Sequence, residues 1–176
     1  MEKRIKREEI YKGKIINVVK DDVMLDNGKT SIREVVLHNG GACIALKDKD
    51  DKYFLVKQYR YVFNEELYEF CAGKIEEDEN PDETILREVE EELGYTAKNL
   101  KSFGYIIPTC GYCSEKIYLY YGEVENKTKQ NFDEGEYMEV EKYSFNKIKE
   151  MIKEGKIVDG KTIALAYRLE IEGIEK

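Results

Sequence analysis

Three carboxylates in one short stretch are the residues best placed to do chemistry. Glu88, Glu91 and Glu92 stand at i, i+3 and i+4 inside Arg87-Glu88-Val89-Glu90-Glu91-Glu92. On an α-helix that spacing gathers them within an arc of about 100°. Ile85, Leu86, Val89 and Leu93 fall on the adjacent arc, which can face a core. Like charges on one stripe repel. One reading is a solvated helix face, the usual meaning of a charge cluster. The other is a site for a hard divalent cation, Mg²⁺ or Mn²⁺, which suits oxygen ligands and would remove the repulsion.

The elements that must position this stripe follow from local pattern. A helix over residues 81–93 has Asn80 as a good N-cap, Pro81 at its first position, Asp82 and Glu83 in its first turn and Gly94 as its stop. Before it the chain reads as strands. Residues 14–25 and 30–37 flank Asp26-Asn27-Gly28, a hairpin signal, and 42–46 and 53–58 flank a charged turn as a second expected hairpin. A short strand at 67–70 leads into Ala72-Gly73. Further strands are expected at 100–107, 116–123 and 138–143, and two helices at 146–154 and 162–170. The class is α+β, a mixed sheet with an antiparallel N-terminal β region.

Composition narrows the function. At 176 residues and with no linker, one domain is expected. A net charge of −8 argues against nucleic acid as a partner. An anionic substrate remains open if a metal supplies positive charge. No apolar run is long enough to span a membrane, residues 1–9 lack a signal-peptide core, and four cysteines read as reduced thiols, so the expected compartment is the cytoplasm. A single histidine, His38, leaves little room for a Ser-His-Asp triad or a histidine-rich zinc site.

Residues 73–95, GKIEEDENPDETILREVEEELGY, resemble the Nudix hydrolase signature Gly-x5-Glu-x7-Arg-Glu-U-x-Glu-Glu-x-Gly-U, where U is bulky and apolar. Its fixed positions are met by Gly73, Glu79, Arg87, Glu88, Glu91, Glu92 and Gly94, with Tyr95 at the last apolar position. The resemblance implies a Nudix-type α/β/α sandwich. It implies Glu88, Glu91, Glu92 and the Ala72 carbonyl at the metals, Glu79 and Arg87 paired as a brace, and tight turns at Gly73 and Gly94.

Over roughly residues 10–170 the chain is similar to the ADP-ribose pyrophosphatase group, through Gln58-Tyr59-Arg60, Glu69-Phe70-Cys71-Ala72-Gly73, Ser114-Glu115 and Asp133-Glu134-Gly135-Glu136 among others. That resemblance implies Mg²⁺-dependent hydrolysis of ADP-ribose to AMP and ribose 5-phosphate. It puts Arg33, Arg60, Glu69, Glu115 and Tyr11 at the substrate and Glu134 as the base, with Glu136 as its neighbouring loop acid. It also implies a homodimer joined through strands within residues 1–40, with residues 41–176 as the catalytic core. Where the group carries a proline fifteen residues past the signature, this chain has Cys110. Another nucleoside diphosphate sugar or a dinucleotide is the alternative substrate, and a non-cleaving ADP-ribose sensor the remote one.

Two motifs are decoys. Residues 155–162 fit the P-loop pattern, but a helix precedes them, and a turn capped at Thr162 is expected instead. Cys110-Gly-Tyr-Cys113 has neither a thioredoxin-like context nor a second cysteine pair for zinc, and reads as incidental thiols.

Overall fold

The structure, a computed structural model, describes residues 1–132 and 137–175. It divides into two compact units, Met1–Gly40 with Ile107–Lys116, and Gly41–Ile106 with Ile117–Lys176.

The first unit is an antiparallel sheet of β1 (Lys3–Lys12), β2 (Asn17–Met24) and β3 (Thr30–Leu37). The β2–β3 hairpin turns at Asn27-Gly28, where Gly28 takes φ 78° and Asn27 Oδ1 accepts the Lys29 N–H at 3.0 Å. Val19, Asp21 and Val23 alternate onto the buried face of β2. Arg7 of β1 crosses to Asp21 with two bonds of 2.7 and 2.6 Å. β1 itself is exposed along all ten residues. It shows no apolar alternation, which is why its pattern did not announce a strand.

The second unit is built on a mixed sheet ordered β10 (Met138–Ser144), β5 (Lys52–Arg60), β4 (Gly41–Lys47), β9 (Ile117–Lys127), β8 (Tyr95–Ile106), with β4 and β9 parallel. Both faces of β4 are covered, so it reads as a continuous apolar run. Ala42, Ile44 and Leu46 pack with Ile85, Val89 and Leu93 on one side. Cys43 and Ala45 pack on the other with Ile148, Met151, Leu165 and Leu169. The helices supplying these side chains are α1 (Pro81–Glu88) with the turn after it, α2 (Phe145–Lys153) and α3 (Gly160–Ile171). This is the expected α/β/α layering of an α+β fold.

One expected hairpin closes only at its turn. β4 and β5 share only the Lys47↔Tyr53 pair and then splay. The gap is crossed by β6 (Glu65–Glu69), which pairs β5, and β7 (Cys71–Lys74), which pairs β4. Buried Phe70 is the pivot between them. A crossing strand that serves two partners in turn has no signature in local pattern.

Candidate active site

Helix α1 starts as its residues dictate. The Asn80 side chain accepts the N–H groups of Asp82 and Glu83, each at 3.0 Å, and Glu83 returns a bond to the Asn80 N–H. Ile85, Val89 and Leu93 hold the helix to the sheet, whereas Leu86 is 41% exposed and does not join the core face as expected. The helix is α only to Glu88. Val89–Leu93 forms a π turn, ended by Gly94 at φ 71°. Its carbonyls are taken from outside: Asn131 N–H bonds Glu91 O at 2.9 Å, the Gln130 side chain bonds Glu92 O at 2.7 Å, and Thr128 N–H bonds Gly94 O at 2.7 Å. These distant partners sustain a widened turn that spacing alone reads as α-helix.

Gly73 corrects a second expectation. It lies in β7, not in a tight turn, and what it provides is room. A Cβ there would stand 1.7 Å from Glu88 Oε1 and 2.3 Å from its Cγ. The Glu88 side chain therefore lies directly against the strand backbone, one residue past Ala72.

Arg87 organises the stripe. Its Nε donates to Glu79 Oε1 at 2.9 Å and one terminal nitrogen to Glu79 Oε2 at 3.2 Å. The other terminal nitrogen donates to Glu88 at 2.9 Å and to Glu91 at 2.8 Å. Glu79 also accepts the Thr84 hydroxyl at 2.6 Å. These bonds, Arg87's foremost, hold the Glu79 carboxyl at about 2, well below the usual carboxylate range. Glu92 is buried at 6% exposure, close to the Cys71 thiol. Burial, and then Glu92, push that thiol far up, so it remains protonated.

On the other side of Phe70, Glu69 is 2% exposed and receives Arg60 through two bonds of 2.6 Å. Burial raises the Glu69 carboxyl, but Arg60 and Lys161 outweigh it and leave it lowered. Lys161 was missed in the sequence, where it stood inside the discounted P-loop pattern. It pairs with Glu69 and, at 3.1 Å, with Asp159. The cap of α3 is Asp159, not Thr162. Its carboxylate accepts the Thr162 N–H at 2.9 Å and the Thr162 hydroxyl at 2.6 Å.

Arg33, Glu115 and Tyr11 belong to the first unit. Arg33 holds Glu2 and the Ser31 hydroxyl. Glu115 lies 3.6 Å from His38 Nδ1, which itself accepts the Gly40 N–H at 2.9 Å. Tyr11 is 57% exposed, with its ring beside Gly13. Glu134 and Glu136 lie outside the described residues.

The donor set of Glu88, Glu91, Glu92 and the Ala72 carbonyl is all hard oxygen and suits a divalent cation such as Mg²⁺. Among the described residues no three such side chains already converge on one point. Arg87 and a bound cation would compete for the oxygens of Glu88 and Glu91.

Comparison with known proteins agrees in fold and sequence. The family model of the nucleoside diphosphate sugar hydrolase N-terminal domain matches residues 2–36, and that of the NUDIX domain matches residues 37–166. The chain is 34% identical over 173 residues to the ADP-ribose pyrophosphatase of Bacillus subtilis, covering 97% of this chain and 94% of that protein. It is 34% identical over 174 residues to the methanol dehydrogenase activator of Bacillus methanolicus, again covering 97% and 94%. With the GDP-mannose pyrophosphatase of Yersinia enterocolitica it shares 34% over 167 residues, covering 88% of this chain and 87% of that protein. A crystal structure of an ADP compounds hydrolase, 17% identical, superposes with a TM-score of 0.84 over 98% of this chain and 95% of that one. With the domain match spanning most of the chain, and with the signature residues gathered around α1 and Gly73, the protein belongs to the Nudix hydrolase family.

Proposed function

We propose that this Nudix hydrolase cleaves the pyrophosphate bond of ADP-ribose, adding water to give AMP and ribose 5-phosphate, with Mg²⁺ as its metal and Mn²⁺ able to replace it. The observation that carries the reading is the Glu88 carboxylate laid against Gly73, one residue past the Ala72 carbonyl, with Glu91 and Glu92 on the same helix end. A bound divalent cation would neutralise the diphosphate and make a water more acidic. Glu88, Glu91, Glu92 and the Ala72 carbonyl would hold that cation. Glu79 and Arg87 fix the stripe against the loop that precedes α1.

Glu134 accepts the proton of the attacking water, and Glu136 is its alternate. In support, the chain is hydrogen-bonded to the helix end at Asn131, three residues before Glu134. Arg60 and Arg33 meet the anionic diphosphate as planar donor forks. Glu69, Glu115 and Tyr11 line the remainder of the substrate. The whole chain, residues 1–176, acts as one Nudix hydrolase domain. A homodimer is supported by the exposed β1 and its Ile5, Ile10 and Tyr11. The four free thiols suit the reducing cytoplasm.

A nucleoside diphosphate hexose is the second reading. It is favoured by the description of the N-terminal family model and by the GDP-mannose pyrophosphatase among the relatives. Phosphate release with a coupling phosphatase, over ADP-ribose, GDP-mannose and other nucleotide sugars with Mg²⁺, Mn²⁺ or EDTA, separates the readings. Fastest Mg²⁺-dependent turnover of ADP-ribose is expected. A preference for a hexose form would move the substrate, and turnover unaffected by EDTA would remove the metal.

A further inference from the structure

Lys161 stands where helix electrostatics disfavours it. It is in the first turn of α3, at the positive end of the helix dipole, and its side chain is only 12% exposed. Two carboxylates compensate it, Asp159 from its own cap and Glu69 from the end of β6. The next residue, Thr162, accepts the N–H of Phe70 at 2.9 Å. Consecutive residues of α3 thus hold consecutive residues of the strand pivot, Lys161 on Glu69 and Thr162 on Phe70.

Arg60 donates to both oxygens of Glu69 and shares Oε2 with Lys161. Nε and one terminal nitrogen of the guanidinium fill that bidentate pair. The second terminal nitrogen is directed away from Glu69 by the planarity of the group. Exposure separates the partners: Arg60's side chain is 41% exposed and Glu69's is 2%. The cation can be reached by a ligand, while the carboxylate that orients it cannot.

We infer that Lys161 is a positioning residue for the diphosphate substrate: it locks Glu69 from the α3 side, so that Glu69 presents the Arg60 guanidinium in one fixed orientation. This rests on the proposed hydrolysis of a nucleoside diphosphate sugar and extends it to a residue outside the Nudix signature. Without Lys161, Glu69 loses its buried cation, keeps only Arg60 and turns toward whatever hydrogen bonds it can recover. Arg60 turns with it.

The test is steady-state kinetics on ADP-ribose with Mg²⁺ for wild type, Lys161→Met, Lys161→Arg and Glu69→Gln, alone and combined, with thermal midpoints measured alongside. Lys161→Met is expected to raise KM about tenfold while kcat stays within about threefold. Lys161→Arg restores the wild-type KM, and Lys161→Met adds nothing further to KM on the Glu69→Gln background. An unchanged KM in Lys161→Met, or an additive rise on that background, overturns the inference. If Lys161→Met does not fold, Lys161→Arg decides: a wild-type KM supports the charge-based role and a tenfold rise overturns it. Wild-type enzyme that turns over no nucleotide sugar would overturn the functional reading and this inference together. Wild-type turnover with an unmoved KM in the variants would overturn this inference alone.

Discussion

Two charged centres flank the Phe70 pivot where the chain crosses from β5 to β4. At the Glu69 end, two carboxylates, Glu69 and Asp159, meet two cations, Arg60 and Lys161. At the Gly73 end, one described cation, Arg87, pairs with Glu79, Glu88 and Glu91, with Glu92 buried beside them. The first centre is neutral in itself. Its charges are mutually satisfied, and buried ion pairs of this sort orient groups more reliably than they stabilise folds. The second carries a surplus of negative charge at the end of one short helix. A surplus of that kind is costly unless an outside cation joins it. On the proposed function the two ends do different work: one would aim a substrate-facing arginine, the other would take up a metal.

Breaking the surplus centre should give the largest effects. Glu88→Gln or Glu92→Gln is expected to lower kcat by about three orders of magnitude or more, with far-UV circular dichroism unchanged. Wild-type rate in either would end the metal-site reading. Glu134→Gln should cost about a hundredfold or more in kcat without weakening Mn²⁺ binding. The same loss from Glu136→Gln alone would transfer the base to that residue.

Gly73→Ala isolates the close contact from the charge. Its added Cβ would meet Glu88 at 1.7 Å, and the flexible carboxylate would move before the strand does. A loss of about ten- to a hundredfold in kcat with little change in thermal midpoint is expected. A large drop in midpoint instead would make the contact structural.

The smallest effect belongs to the brace. Glu79→Gln should lower activity about tenfold. Because the folded Glu79 carboxyl is held at about 2, against an ordinary value of 4.5, its contribution to stability is complete above 4.5 and fades as pH falls toward 2. Denaturant unfolding of wild type and Glu79→Gln should therefore differ at neutral pH and converge over that acid window. Curves offset equally at pH 2 and pH 7 would show that the brace acts without ionisation.

The surplus centre was legible in the sequence because its members are close in the chain. Glu88, Glu91, Glu92, Arg87 and Glu79 fall within fourteen positions, and local spacing predicts local contact. The layering came from the family resemblance, and in the structure Ala42, Ile44 and Leu46 face one helix layer and Cys43 and Ala45 the other. The neutral centre was half hidden. Arg60 and Glu69 were singled out, but Lys161 is 92 residues beyond Glu69, in a stretch whose only local pattern was a misleading P-loop. The π turn depends on Thr128, Gln130 and Asn131, and the role of Gly73 on a side chain fifteen residues away, so neither could be read from neighbours. β1 lacked the apolar alternation that marks a half-buried strand.

The central claim is that the carboxylate surplus beside Gly73 is a divalent-cation site. Its most direct measurement is a Mn²⁺ titration followed by electron paramagnetic resonance, with the uncleavable α,β-methylene analogue of ADP-ribose present, on wild type and Glu92→Gln. Wild type should take up Mn²⁺ with a saturable loss of the free-ion signal, and Glu92→Gln should bind at least about tenfold more weakly. Equal uptake by the two proteins would contradict the account.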